Sequence, residues 1–103
     1  MKVELNITFT TALIIVKHLK LNPQEGYEAA LAYLDELRSL RLRKNCANEL
    51  AIDAASTVGV MWAGSPVFHA LQSDLSNMFV NITVAYWQGN LAPEDATYVA
   101  KII

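Results

Sequence analysis

The sequence predicts a mainly α-helical fold, a compact bundle of about five helices, with one short N-terminal strand (an α+β fold) as the alternative. Three observations carry that expectation. Apolar residues recur at helical spacing through most of the chain. Helix-start chemistry stands at Asn22-Pro23 and again at Pro93-Glu94-Asp95. Gly64-Ser65-Pro66 and Gly89-Asn90 supply the breaks between helices. At 103 residues the chain has the length of one helical domain, residues 1–103. A core of that size removes only roughly two thirds of the unfolded surface from water.

Residues 2–9 are the ambiguous element. Lys2, Glu4, Asn6 and Thr8 alternate with Val3, Leu5, Ile7 and Phe9, the period of two of a half-buried strand. A strand needs a partner for its backbone, and the other β-rich run is residues 79–86. From about Thr11 to Leu21 the spacing changes. Leu13, Val16 and Leu19 or Lys20 then fall three or four apart, as on a helix face.

The second helix is the clearest. Asn22 can cap it, Pro23 suits the first helical position, and Glu25 and Glu28 favour the positive end of the helix dipole. Tyr27, Ala30, Leu31, Leu34 and Leu37 form its apolar stripe, which runs to about Leu42. A third helix is expected from near Asn45, a capping residue. It places Ala51, Ala55, Gly59 and Ala63 on one ridge, a pattern that lets another helix approach closely.

After the break at 64–66, Phe68, Leu71, Leu75, Met78, Phe79, Ile82 and Tyr86 share one helical face. That periodicity outweighs the β propensity of Val80, Ile82 and Val84, which is the more context-dependent signal. Val80, Val84 and Trp87 make a second stripe on the opposite side, so this helix asks to be covered twice. The last short helix opens at Pro93 and carries Ala96, Val99 and Ile103.

Charge is scarce and unevenly placed. Apolar residues make up 53% and charged residues 17% of the chain, against about 25% charged in an ordinary domain. From Ala54 to Pro93 the sole charge is Asp74. A small domain with so little charge exposes apolar surface, and large apolar patches mark interfaces. The single cysteine, Cys46, forms no internal disulfide, which with an N-terminus unlike a signal peptide leads to the expectation of a reducing, cytoplasmic setting. The uncharged run Ala54 to Ser73 is interrupted by Ser56, Thr57, Ser65, Pro66, His69 and Gln72, so no membrane span is expected.

Chemistry-bearing residues are few. Cys46, His18, His69, Asp53 and Asp74 are the residue types of a thiol site, but nothing in their spacing supports one. Two histidines 51 positions apart lack the local pairing of a zinc site, and no glycine-rich phosphate loop is present. Neither a metal nor a cofactor is expected, and the chain is read as no enzyme.

Two candidate contact surfaces remain. Arg38, Arg41, Arg43 and Lys44 form a basic cluster at a helix end, where cations also suit the dipole. The net charge of −2 opposes a nucleic-acid role. Ala55, Gly59, Trp62, Val80, Val84 and Trp87 make up the candidate apolar interface, since tryptophan is a frequent interface anchor. The expected function is a non-catalytic protein-binding module. It would be a self-associating homodimer acting as inhibitor, adaptor or assembly factor for a larger protein, of a kind also encoded by phages and mobile elements. The alternatives are a nucleic-acid-linked regulator using residues 38–44, or a small enzyme with a site between protomers.

Overall fold

A computed structural model describes residues 5–41, 47–64 and 69–102. Five helices follow one another: α1 (Ile7–Leu19), α2 (Pro23–Arg41), α3 (Ala47–Ala63), α4 (His69–Trp87) and α5 (Pro93–Ile102). The first four close a ring, in which α1 packs on α2, α2 on α3, α3 on α4 and α4 back on α1. α5 lies at one end of the ring against α2 and α4. The radius of gyration, 12.9 Å, is that of a well-packed chain of about this length. Exposed apolar side chains are therefore not the product of an opened bundle.

The N-terminal alternation does not produce a strand among the described residues. Leu5 makes one isolated parallel bridge to Leu91, with Leu5 N donating to Asn90 O at 2.9 Å, and helix begins two residues later. Asn6 decides this locally. Its side chain accepts from Phe9 N at 2.9 Å, satisfying an amide that the first helical turn leaves without a partner. The run 79–86, the partner such a strand would need, is inside α4.

The face that α1 buries also differs from the expected one. Ile7, Thr11 and Ile15 are buried, while Leu13 is 56% exposed. Both sides of this helix are apolar, and the side containing a threonine goes inward because the hydroxyl is satisfied locally. Thr11 Oγ1 donates to Ile7 O at 2.6 Å and lies 3.2 Å from Met78 Sδ on α4. A second tie between the same helices joins His18 Nε2 and Asp74 Oδ2 at 2.6 Å.

α2 starts as its sequence requires. Glu25 N donates to Asn22 Oδ1 at 2.8 Å and Asn22 N to Glu25 Oε1 at 3.4 Å, a reciprocal capping box. Its buried face is rotated from the expected stripe. Ala30, Leu34 and Leu37 are buried together with Ala29, Tyr33 and Leu40, whereas Tyr27 and Leu31 are 50% and 44% exposed. Gly26 explains the rotation. A Cβ there would stand 2.2 Å from Val16 Cγ2 and 3.5 Å from Ala12 O, so α1 crosses α2 at the one residue of this turn without a side chain.

In α3, Ala51, Ala55 and Gly59 are buried and Ala63 is exposed. The small-residue ridge is thus used inside the chain, in the packing of α3 on α2 and α4. α4 buries Leu71, Leu75, Met78, Phe79 and Ile82 as its period demands. Gly89, at φ 71°, ends it in a Schellman turn, Asn90 N donating to Ala85 O at 2.8 Å and Gly89 N to Tyr86 O at 3.0 Å. Of the last helix's expected apolar residues, Val99 is buried and Ala96 half-buried; Ile102, which is not among them, is buried too. Asn45, Phe68, Ile103 and the start of the 2–9 run fall outside the described residues.

Two substitutions test this packing. Gly26→Ala should destabilise the fold by about 1–3 kcal/mol despite the better helix propensity of alanine, because β-branched Val16 has no other comfortable rotamer. Val16→Ala in the same chain should recover most of that loss, as measured by urea unfolding. Ala55→Leu should cost a similar amount, about 1–3 kcal/mol, by overpacking a site only 1% exposed. A melting temperature equal to the parent's would place Ala55 outside the core.

Candidate functional site

The described part of the molecule exposes ten large apolar side chains. Four of them, Phe9, Leu13, Tyr27 and Leu31, gather where α1 crosses α2. On α1, Phe9, Ala12, Leu13 and Val16 follow the i, i+3, i+4, i+7 spacing of a second apolar face, turned away from Ile7, Thr11 and Ile15. With Pro23 and Tyr27 of α2 this face lines a groove of about 550 Å³. A second groove of about 610 Å³ continues from it, lined by Leu31, Leu34 and Asp35 of α2 and by Tyr98 of α5. The two share Thr8, Glu94 and Asp95.

The shared end is built by the meeting of two helix N-termini. Leu5 is held beside Leu91, which sets the start of α1 next to the start of α5. Ile7 N then donates to Asp95 Oδ2 at 3.0 Å, so one carboxylate in the first turn of α5 also terminates α1. Every ionisable carboxylate, lysine, arginine or histidine lining either groove is acidic: Asp35, Glu94 and Asp95.

Tyr98 belongs to this wall, and Tyr33 is its buried neighbour. Tyr98 donates its hydroxyl to the carbonyl of Leu34, tying α5 to α2. Tyr33 is fully buried and its hydroxyl finds no hydrogen-bond partner among the described residues. Burial pushes both hydroxyls well above the usual tyrosine range. At Tyr98 the Asp35 carboxylate adds to the rise and the Arg38 guanidinium opposes it, and at Tyr33 the neighbouring Tyr98 adds to it.

The expected contact residues fall in three places. Ala55 and Gly59 are buried in the bundle, so neither faces an outside partner. Trp62 is half-buried, with its indole Nε1 enclosed and without a hydrogen-bond partner among the described residues. Val80, Val84 and Trp87 form one exposed face of α4, at 48%, 49% and 72% exposure, with Trp87 meeting Tyr86 edge to face at 5.1 Å. Of the basic cluster, Arg38 is exposed, Arg41 is the last residue of α2, and Arg43 and Lys44 lie outside the described residues.

The other chemistry-bearing residues stay dispersed. His18 joins Asp74, His69 is exposed at the start of α4, and Cys46 lies outside the described residues. Among the described residues no three His, Cys, Asp or Glu side chains could hold a metal ion together, and no helix is long and apolar enough to cross a membrane. The groove is the surface that sequence reasoning passed over. Its signal was the second apolar face of α1, with Gly26 opposite it as an otherwise unfavourable residue within a helix.

The two tyrosines give opposite expectations. Tyr98→Phe should cost about 0.5–1.5 kcal/mol, the net worth of one hydrogen bond, while Tyr33→Phe should be neutral or stabilising because its hydroxyl has no partner to lose. Both native groups keep their proton when folded but lose it above about pH 10 when unfolded. Their contribution is therefore complete below that pH and declines as pH rises beyond it. Urea unfolding as a function of alkaline pH should decline less steeply in each phenylalanine variant than in the parent. Compared with known proteins, the chain matches no family model, no curated protein sequence and no solved structure.

Proposed function

We propose that this chain is a non-catalytic protein-binding module that self-associates and acts on a larger protein as an inhibitor, adaptor or assembly factor. The observation that carries the reading is the placement of apolar side chains outside a well-packed bundle. Seven of the ten large ones exposed among the described residues lie on two surfaces, the joined grooves beside α1 and α2 and the α4 face of Val80, Val84 and Trp87. Leaving such surfaces in water is unfavourable at about 25 cal/mol per Å², and surfaces of this kind are relieved by contact with another macromolecule.

The α4 face has the composition of an anchor site, with an exposed tryptophan beside two β-branched residues. It carries no charge, since α4 holds only Asp74, on its side toward α1. The grooves carry carboxylates alone, which disfavours nucleic acid as their ligand.

Affinity capture from the source cell, with Val84→Asp and Leu13→Asp baits beside the parent, tests the reading. Both substitutions are at exposed positions and should leave the melting temperature nearly unchanged. The expected result is a protein recovered by the parent and lost with one of the two variants. Recovery of the same proteins by all three baits would overturn the reading, and recovery of nucleic acid in their place would favour a regulator.

A further inference from the structure

We propose that the α1–α2 groove receives α1 of a second copy of this chain, forming a twofold-symmetric dimer with the two α1 helices antiparallel. The inference rests on the protein-binding reading above and assigns one of its two surfaces to self-association, leaving the α4 face for the outside partner.

The argument begins with the charges at the ends of one apolar helix face. α1 holds Phe9 and Leu13 on its outer side, with Val16 half-buried beside them against Gly26, and that face continues into Lys17 and Lys20. Both lysines are exposed, and neither pairs with a carboxylate among the described residues. At the other end of the same face stand Glu94, Asp95 and, one groove further, Asp35. Asp95 is engaged with Ile7 N, whereas Glu94 and Asp35 are exposed with no ion-pair partner among the described residues. The helix ends themselves do not cancel this charge. Two N-termini contribute about half a positive unit each, against three carboxylates, and Arg38 beside Tyr98 offsets one more at most.

A surface that is apolar in the middle, cationic at one end and anionic at the other is complementary to itself when turned through a half rotation. That is the requirement of an isologous interface. With the twofold axis at Leu13, Lys20 of the second copy comes level with Asn6, where Glu94 and Asp95 line the groove. Lys17 of the second copy comes level with Phe9. Leu13 then meets its own equivalent, each Phe9 lies against the methylene stem of the other copy's Lys17, and antiparallel helix dipoles align favourably. The other exposed apolar surfaces lack this property. Residues 54–93 contain no cation, so neither Val60 and Met61 on α3 nor the α4 face can offer a positive group to the acidic end of the groove. A membrane surface is a poor occupant for the same electrostatic reason, since its anionic headgroups would meet the carboxylates.

Sedimentation equilibrium of the full chain at micromolar concentration, with charge-swapped variants, tests the proposal. The parent should be a dimer that weakens as salt rises. Leu13→Asp should be a monomer with the parent's helical content. Lys20→Glu alone and Glu94→Lys alone should each weaken dimerisation about tenfold, because each homodimer then opposes like charges at both ends. An equimolar mixture of those two variants restores opposite charges at both ends, and should dimerise within about threefold of the parent. The swap does not depend on how Leu13→Asp folds. A parent that is monomeric throughout, a mixture that fails to recover, or a dimer broken by Val84→Asp but not by Leu13→Asp would each overturn the proposal. A monomer that still captures a partner through the α4 face would overturn this dimer alone and leave the protein-binding reading standing.

Discussion

The approach of α1 to α2 at Gly26 is the contact on which the rest of the arrangement depends. Val16 occupies the space a Cβ would need at position 26, so this crossing, with Gly26 facing α1, is one that a side chain there would push apart. That crossing sets the rotation of both helices about their own axes. On α1 it sends Ile7, Thr11 and Ile15 inward toward α2 and α4 and leaves Phe9 and Leu13 outside. On α2 it buries Ala29, Ala30, Tyr33 and Leu37 and leaves Tyr27 at the rim of the same groove and Leu31 at the rim of the one that continues it. The apolar groove is therefore not an accident of a loose surface. It is the geometric complement of a tight contact.

A second constraint closes the molecule at its ends. The bridge between Leu5 and Leu91 and the hydrogen bond from Ile7 N to Asp95 join the first described residues to the connection between α4 and α5. One carboxylate answers two helix N-termini, which is economical for a chain with so few charges. The same economy concentrates negative charge at one end of the groove, while the lysines of α1 stand at the other. Structural capping and surface polarity thus have a common origin in the way α5 returns to the start of α1.

Polar groups inside the bundle follow a similar logic. Thr11 is tolerated in the core because its hydroxyl bonds to the carbonyl one turn earlier. Tyr98 reaches a helix carbonyl across the α2–α5 contact, yet Tyr33 and the Trp62 indole have no partner among the described residues. Hydrophobic volume, and not hydrogen bonding, placed those two rings, since a buried aromatic ring contributes more than a lone hydroxyl or N–H costs.

The sequence by itself determined where α2 begins and where α4 ends, though not where α1 begins. Asn22, Pro23 and Glu25 act through neighbours within one turn, and Gly89 supplies a backbone conformation other residues adopt reluctantly, so both signals are local. The excess of apolar side chains over what a bundle of this size can cover was equally legible, and so was the second stripe of α4 at Val80, Val84 and Trp87. Which apolar face each helix buries was not legible in α1 or α2. Leu13 and Tyr27 looked like core residues, Thr11 did not, and the ridge through Ala55 and Gly59 looked available to a partner. The hydrophobic effect is non-directional, so two apolar faces of one helix are nearly equivalent until something across the interface distinguishes them. Only the tertiary structure does so, through the missing side chain of Gly26, the Met78 sulfur beside Thr11 and the return of α5 onto the start of α1.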